Sequence, residues 1–171
     1  PGAREIDARG RIVTPGGVDP HCHIEQMSGM GLMNADSFET ATRSAAMGGT
    51  TSVISFAAQA KGQPLGEAVA DYGARAARGA MIDHAFHISV SDAAVPGFRR
   101  DLAALVRAGH RSIKVFTTYD IRLDDRAILE VMATAREAGA LVCIHAENDG
   151  MIGLARDALM VDLAQQYPGY G

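Results

Sequence analysis

The stretch Asp19-Pro20-His21-Cys22-His23 places two histidines one residue apart at the end of an apolar run, Gly17–Ile24. In an extended strand, residues i and i+2 point to the same face, so the rings of His21 and His23 are predicted to converge while Cys22 points away. Neutral imidazole is a common zinc ligand, and catalytic zinc sites leave one position open for water. Two histidines do not complete such a site, so further ligands have to come from other strands.

Composition limits the class of protein and the kind of partner. The 171 residues are 47% hydrophobic, which is sufficient for the core of one domain. The net charge is −4 and no stretch is rich in Lys or Arg, so neither a nucleic acid nor a membrane surface is expected as a partner. A small-molecule substrate is favoured instead. With two cysteines, no secretory leader and no apolar run long enough to span a bilayer, a cytoplasmic location is expected.

One unit recurs along the chain: a short apolar strand, a loop and an amphipathic helix, at the spacing of roughly 30 residues that is typical of βα units. Strands are predicted over Gly17–Ile24, Thr50–Phe56, Ile82–Ser89, Ser112–Thr117 and Ala140–His145. Helices are predicted over Asp36–Met47, Pro64–Arg78, Pro96–Ala108, Asp124–Ala138 and Met151–Gln166. Five such units in series predict a parallel α/β sheet.

Both a doubly wound sheet and a (β/α)8 barrel are compatible with five units. The first strand–helix loop, residues 25–33, lacks the Gly-x-Gly-x-x-Gly turn that a dinucleotide would require. Polar residues lie toward the C-terminal ends of their strands, where barrel active sites are built; they are His21, His23, Lys114 and His145. The barrel is therefore favoured, and residues 14–171 would form its first five units.

Lys114 and His145 are the two further candidate ligands. Lys114 interrupts an otherwise apolar strand, and a buried amine that is neutral is nucleophilic enough to react with carbon dioxide. The resulting carbamate is an anionic oxygen ligand that can bridge two metals. A lysine paired with a carboxylate and a capping histidine are the structural alternatives at these positions. Candidates on three separate strands make the metal site the better interpretation.

Four motifs resemble those of the hydantoinase and dihydropyrimidinase branch of the cyclic amidohydrolases. They are Pro15-Gly16-Gly17-Val18-Asp19-Pro20-His21-Cys22-His23, Gly48-Gly49-Thr50-Thr51-Ser52, Ile113-Lys114-Val115-Phe116 with Tyr119, and Ile144-His145-Ala146-Glu147-Asn148. The resemblance covers nearly the whole chain in the same order. It implies a (β/α)8 barrel of the metal-dependent hydrolase kind.

The resemblance also implies a ligand set. Two Zn²⁺ ions are expected, with His21 and His23 on one, His145 on the other, and N6-carboxylated Lys114 bridging both. A further histidine and a catalytic aspartate come from later strands in this family, beyond residue 171. Tyr119 resembles the family's tyrosine that hydrogen-bonds the developing oxyanion.

Further expectations concern the ends of the chain and its assembly. The chain starts with Pro1 rather than Met and is expected to be part of a longer protein. Residues 1–13 resemble the end of the small β-sandwich that precedes the barrel. The full-length protein is expected to form a homo-oligomer, a tetramer or a dimer.

The expected reaction is hydrolysis of a cyclic amide, a hydantoin or a dihydropyrimidine, by a metal-bridging hydroxide. The alternatives are an allantoinase- or dihydroorotase-like enzyme and a non-catalytic oligomeric scaffold. Dihydroorotases tend to carry an Arg two residues after the second histidine, where this chain has Glu25. His84 and His87 are expected to be structural or to support a ligand, and His110 is expected to be a solvated loop residue.

Overall fold

The computed structural model describes residues 4–28 and 31–166. Within these residues five strands alternate with five helices. The strands are β1 (Gly17–Asp19), β2 (Thr50–Ala58), β3 (Asp83–Ser89), β4 (Ser112–Phe116) and β5 (Leu141–His145). The helices are α1 (Phe38–Met47), α2 (Leu65–Gly79), α3 (Phe98–Arg107), α4 (Asp125–Ala138) and α5 (Asp149–Gln166).

The sheet has the order β1-β2-β3-β4-β5, and each neighbouring pair is parallel. A helix crosses between each pair of successive strands, so each strand runs in the same direction as the one before it. The prediction of a parallel half-barrel of about five βα units is confirmed. Apart from β1, all elements begin and end within two residues of their predicted bounds.

The first strand is shorter than predicted, because β1 ends at Asp19 rather than at Ile24. Pro20 has no N–H to donate to a neighbouring strand. The Asp19 carboxylate accepts the His21 backbone N–H at 3.0 Å, which turns the chain locally. One long hydrogen bond, from the Cys22 N–H to the Ile54 carbonyl at 3.4 Å, keeps the following segment beside β2. The two histidines therefore lie directly beyond β1 rather than within it.

Alternation along the strands separates the core from the site. One face of β2, β3 and β4 packs against the helices and is fully or nearly fully buried; its residues include Val53, Ala57, Phe86, Ile88, Ile113 and Val115. Helix residues that complete this core include Leu65, Leu102, Val106 and Val131. The opposite face carries aromatic and polar side chains that are cross-strand neighbours, Phe56 beside His87 and Phe116 beside His145. Because side chains alternate between the two faces of a strand, the apolar residues face the helices and the candidate site residues face the interior of the barrel.

Residues 4–16 contain neither helix nor strand. The interpretation of residues 1–13 as the end of a β-sandwich stays a prediction, and residues 1–3 lie outside the described part. Among the helices of the described residues, none combines the length and the hydropathy needed to cross a bilayer.

Candidate metal centre

The sequence-predicted site residues line one cavity of about 260 Å³ at the C-terminal ends of the strands. The cavity is lined by His21, His23, Phe56, Lys114, Phe116, Tyr119 and His145. These residues come from four separate parts of the chain: the segment after β1, strand β2, strand β4 with its following loop, and the end of β5. All five candidates named from the sequence are therefore brought together, with two phenylalanines between them.

His21 and His23 face the same side, as alternation predicts, although they lie outside the strand. Their ring centroids are 5.5 Å apart, and each lies 4.8 Å from the centroid of the Phe56 ring. Cys22 points the other way and packs against the core, with its Sγ 3.6 Å from the Ile54 carbonyl. The segment keeps its alternation because it still runs beside β2.

Burial lowers the pKa of His21, and the nearby His23, Lys114 and His87 lower it further. The Asp19 carboxylate acts in the opposite direction. A lowered pKa extends the pH range in which the imidazole is neutral, and only the neutral ring can bind a metal.

Lys114 is 8% exposed, and its Nζ lies 4.9 Å from the centroid of the Phe116 ring. In residues 4–28 and 31–166, no Asp or Glu carboxylate forms an ion pair with this amine. Within the described residues, Lys114 is therefore not paired with a carboxylate, contrary to the structural alternative. The contact with the Phe116 ring is of the cation–π type, and a buried position without a carboxylate partner is also compatible with an amine that carries an anionic group.

His145 ends β5 with its ring stacked on Phe116, 5.5 Å between centroids. Its Nε2 lies 2.5 Å from an Oε2 oxygen of Glu147. Because a carboxylate can only accept, Nε2 carries a hydrogen, and in the neutral ring the lone pair is then on Nδ1. Its backbone carbonyl accepts from both the N–H and the hydroxyl of Thr117, which ties the end of β5 to the loop after β4.

Tyr119 has a left-handed backbone, with a φ of 70°. Such a conformation costs about 1–3 kcal/mol in a residue other than glycine, and it occurs preferentially at functional sites. The carbonyl of Tyr119 accepts hydrogen bonds from the backbone N–H and the guanidinium of Arg122, which hold the turn. The ring is 54% exposed and lies 5.3 Å from His145, so its hydroxyl is accessible from the cavity.

Two site residues were missed by the sequence reasoning. Phe56 lies under both histidines, and its position could have been found from the alternation along β2. Gln26 accepts a hydrogen bond from His23 at 2.7 Å between Oε1 and Nδ1. No sequence pattern indicated this contact, because it depends on how the loop turns after His23.

Glu25 does not face the metal candidates. Its carboxylate accepts the backbone N–H of Phe38 at 3.2 Å, at the start of α1, and lies 3.6 Å from the guanidinium of Arg78. A carboxylate at a helix N-terminus is favoured by the helix dipole. Glu25 is thus engaged in holding the loop onto α1 and α2.

The remaining histidines lie outside the cavity, and one of the three expectations about them was wrong. His87 hydrogen-bonds the Pro20 carbonyl at 2.8 Å and the Ser112 hydroxyl at 2.7 Å, which is a structural arrangement. His84 packs beside Phe86. The expectation that His110 is solvated was wrong: it is partly buried and stacks on Phe86, and burial lowers its pKa.

Comparison with known proteins identifies the family. A sequence profile described as "Amidohydrolase family" matches residues 12–163, most of the chain. The chain belongs to the amidohydrolase family. It is 40% identical over 164 residues to a D-hydantoinase of Rhizobium radiobacter, and 43% identical over 157 residues to one of Streptomyces coelicolor. These matches cover 95% and 91% of this chain but 35% and 32% of the relatives. This amidohydrolase chain thus spans about a third of the length of the curated relatives it matches.

Solved structures give the same result for the fold. A D-hydantoinase from Bacillus sp. AR9 superimposes with a TM-score of 0.87 at 38% identity, over 95% of this chain and 36% of the other. A dihydropyrimidinase from Brevibacillus agri superimposes with a TM-score of 0.80 at 34% identity, over 92% and 36%. The half-barrel of this amidohydrolase therefore corresponds to part of the hydantoinase fold.

The donor set of this amidohydrolase fits a metal centre that depends on a modified lysine. In the described residues, no group of three or more His, Cys, Asp or Glu side chains could hold a metal ion. Three imidazoles instead surround a buried amine in one cavity. A carboxylated Lys114 would supply the anionic oxygens that unmodified side chains of the described residues do not provide.

Proposed function

We propose that the full-length protein hydrolyses a cyclic amide, of the hydantoin or dihydropyrimidine type, at a centre of two zinc ions. The observation that carries the proposal is the convergence of His21, His23, Lys114 and His145 on one cavity. It occurs in an amidohydrolase chain about 40% identical to proteins named D-hydantoinase.

The residues that would hold the two ions are His21, His23, His145 and Lys114 in its N6-carboxylated form. When bound, such ions lower the pKa of a coordinated water toward neutrality and polarise a carbonyl oxygen. The proposal takes a further histidine and a catalytic aspartate from the family's later strands, outside residues 1–171.

The chain's own residues bind and orient the substrate. The Tyr119 hydroxyl would donate to the carbonyl oxygen as negative charge develops on it, an interaction worth about 3–4 kcal/mol in comparable sites. The strained backbone at Tyr119 supports this role, because it aims the side chain at the cavity that His145 lines. Phe56 and Phe116 are apolar walls that keep bulk water away from the reacting carbonyl.

A second cavity, of about 400 Å³, adjoins the first and shares His23, Phe56 and Phe116 with it. Met27 and Ile121 contribute apolar side chains to its lining. It would accept an apolar substituent of the ring, and flexible Met side chains adapt to substituents of different shape. Dihydroorotases tend to carry an Arg two residues after the second histidine, and the acidic Glu25 at that position favours a substituted hydantoin over the charged dihydroorotate.

Assembly into a homo-oligomer, a dimer or a tetramer, is part of the same proposal and rests on the resemblance to the family.

The test combines metal analysis with hydrolysis assays on the full-length protein, using hydantoin and dihydrouracil. About two zinc equivalents per chain and hydrolysis of either substrate are expected. Lys114→Ala and His21→Ala should lose both zinc and turnover. His84→Ala is the matched control, since His84 lies outside the cavity and should leave both unchanged. Activity with normal metal content in Lys114→Ala would refute the proposal, and a metal-free, inactive wild type would favour the non-catalytic scaffold.

A further inference from the structure

We propose that Gln26 is a positioning residue that sets which nitrogen of His23 is available to the metal. The inference rests on the proposed metal site and adds to it a residue of this chain that acts through His23. Gln26 lies between two groups, the Nδ1 of His23 and the backbone carbonyl of Phe56, and hydrogen-bonds both.

The Phe56 carbonyl fixes the orientation of the Gln26 amide. A backbone carbonyl can only accept a hydrogen bond, so the group of Gln26 that faces it has to be the NH₂. The Oε1 atom of the amide then has to face the other way, toward His23. The two ends of a glutamine amide are hard to tell apart by shape, and here the hydrogen-bond network assigns them.

The amide in turn fixes the tautomer of His23. Its Oε1 lies 2.7 Å from Nδ1 and can only accept, so the hydrogen of the neutral ring has to be on Nδ1. The lone pair is then on Nε2. A ligand histidine whose other nitrogen donates to a fixed oxygen is the usual arrangement in metal sites.

Phe56 restrains His23 in a second way. The two rings are stacked, 4.8 Å between centroids and 16° between planes. Phe56 therefore acts on His23 twice. Its ring packs against the face of the imidazole, and its carbonyl orients the Gln26 amide that determines the His23 tautomer. His21 also contacts the Phe56 ring, but edge-on, with 64° between the ring planes. Within residues 4–28 and 31–166, no side chain accepts a hydrogen bond from the ring of His21.

The loop holds Gln26 in place through its backbone. Its backbone N–H donates to the Asn34 side chain at 2.7 Å, and its carbonyl accepts the Asn34 N–H at 3.0 Å. The Asn34 amide also donates to the His23 carbonyl at 2.7 Å. Asn34 thus ties together the backbones of His23 and Gln26, so that the contact between their side chains costs little further ordering.

The experiment measures zinc affinity by competition with a chromophoric chelator on the full-length protein. Gln26→Met keeps the length of the side chain and removes both hydrogen bonds. Gln26→Glu keeps an acceptor for His23, replaces the donor to Phe56 by an oxygen and adds a negative charge. Gln63→Met is the matched control, because Gln63 is a half-buried glutamine whose Oε1 accepts the Ala60 N–H at 3.0 Å instead of a ring N–H.

Gln26→Met is expected to weaken zinc binding about 10–100-fold, as loss of an outer partner of a ligand histidine does. Gln26→Glu should bind zinc nearly as tightly as the wild type, and so should Gln63→Met. If Gln26 only anchored the loop to Phe56, Gln26→Glu would weaken zinc binding as much as Gln26→Met. Equal losses of zinc affinity in the two variants would therefore overturn the inference. Unchanged affinity in Gln26→Met would overturn it as well.

A crystal structure of the zinc-loaded wild type keeps the inference testable if the variants do not fold. Zinc on Nε2 of His23, with Gln26 still on Nδ1, is the expected result; zinc on Nδ1 with Gln26 displaced would overturn it. A wild type that takes up no zinc would refute the proposed function and the inference together. Normal zinc uptake with an unaffected Gln26→Met would refute the role of Gln26 alone.

Discussion

Tyr72→Phe should reduce stability by removing one hydroxyl that anchors the segment carrying the two histidines. Tyr72 lies on α2, is 5% exposed, and donates to the Ile24 carbonyl at 2.5 Å, one residue after His23. Its ring packs against Phe38 and Phe86, 5.2 and 5.0 Å between centroids. Phenylalanine keeps these ring contacts and loses only the hydroxyl.

The size of the effect follows from the burial of this hydrogen bond. Leaving a buried carbonyl without its donor costs about 1–3 kcal/mol, and we expect the free energy of unfolding to fall by that amount at neutral pH. The cost should diminish in alkali. Burial raises the pKa of Tyr72 to about 12 from its ordinary value of 10.0.

The raised pKa of Tyr72 stabilises the folded protein at neutral pH. This contribution is fully present below pH 10 and is lost as the pH rises toward 12, because Tyr72 ionises at lower pH in the unfolded chain than in the folded protein. At about pH 10.5 the wild type should have lost roughly 0.8 kcal/mol through this group. Tyr72→Phe has no hydroxyl at this position and does not lose this stability. The difference in the free energy of unfolding between the wild type and Tyr72→Phe should therefore shrink by the same amount.

The assay is denaturant unfolding of the wild type and Tyr72→Phe near neutral pH and at about pH 10.5. The difference between their free energies of unfolding is expected to be smaller at the higher pH. Tyr119→Phe is the matched control. Tyr119 is 54% exposed, and its substitution should change the free energy of unfolding by less than about 0.5 kcal/mol. Equal stability of Tyr72→Phe and wild type at neutral pH, or a difference that does not narrow in alkali, would refute the reasoning.

Three further predictions concern other single groups. Burial raises the pKa of the Cys22 thiol to about 11, so iodoacetamide at mildly alkaline pH should alkylate it much more slowly in the folded than in the unfolded protein, as mass spectrometry would show; equal rates would contradict this. Burial lowers the pKa of His110, so its contribution to stability should be lost as the pH falls below its ordinary 6.5, and His110→Gln should flatten the acid side of the stability profile. Asp124→Ala removes the acceptor for the Ala127 N–H at 2.7 Å and should cost about 1 kcal/mol in thermal or denaturant unfolding, whereas Asp125→Ala, without that cap, should cost less.

Much of the architecture could be predicted because it depends on local periodicity. Alternation in β4 places Ile113 and Val115 in the core and Lys114 on the opposite face, and the pattern is visible in the sequence. The same rule predicted that His21 and His23 would converge. The length predicted for β1 was wrong, because Pro20 has no N–H to donate and the Asp19 carboxylate accepts the His21 N–H, and an apolar run reveals neither effect.

Contacts between distant segments could not be predicted in the same way. The environment of His110 depends on Phe86, a residue of another element, and the local pattern that predicts a helix end at Ala108 says nothing about it. The same is true of the partners of Glu25, which lie on α1 and α2.

The sequence by itself determined the order of strands and helices, the face on which each strand carries its polar residues, and the candidates His21, His23, Lys114, Tyr119 and His145. Periodicity decides the elements and the faces of the strands, since these depend on residues only a few positions apart, whereas Tyr119 was indicated only by the resemblance of its motif to a family. Only the tertiary structure decided that Phe56 supports both histidines and that its carbonyl orients Gln26 against His23. These contacts join residues about thirty positions apart, and their distances and directions exist only once β1 and β2 lie side by side in the folded sheet.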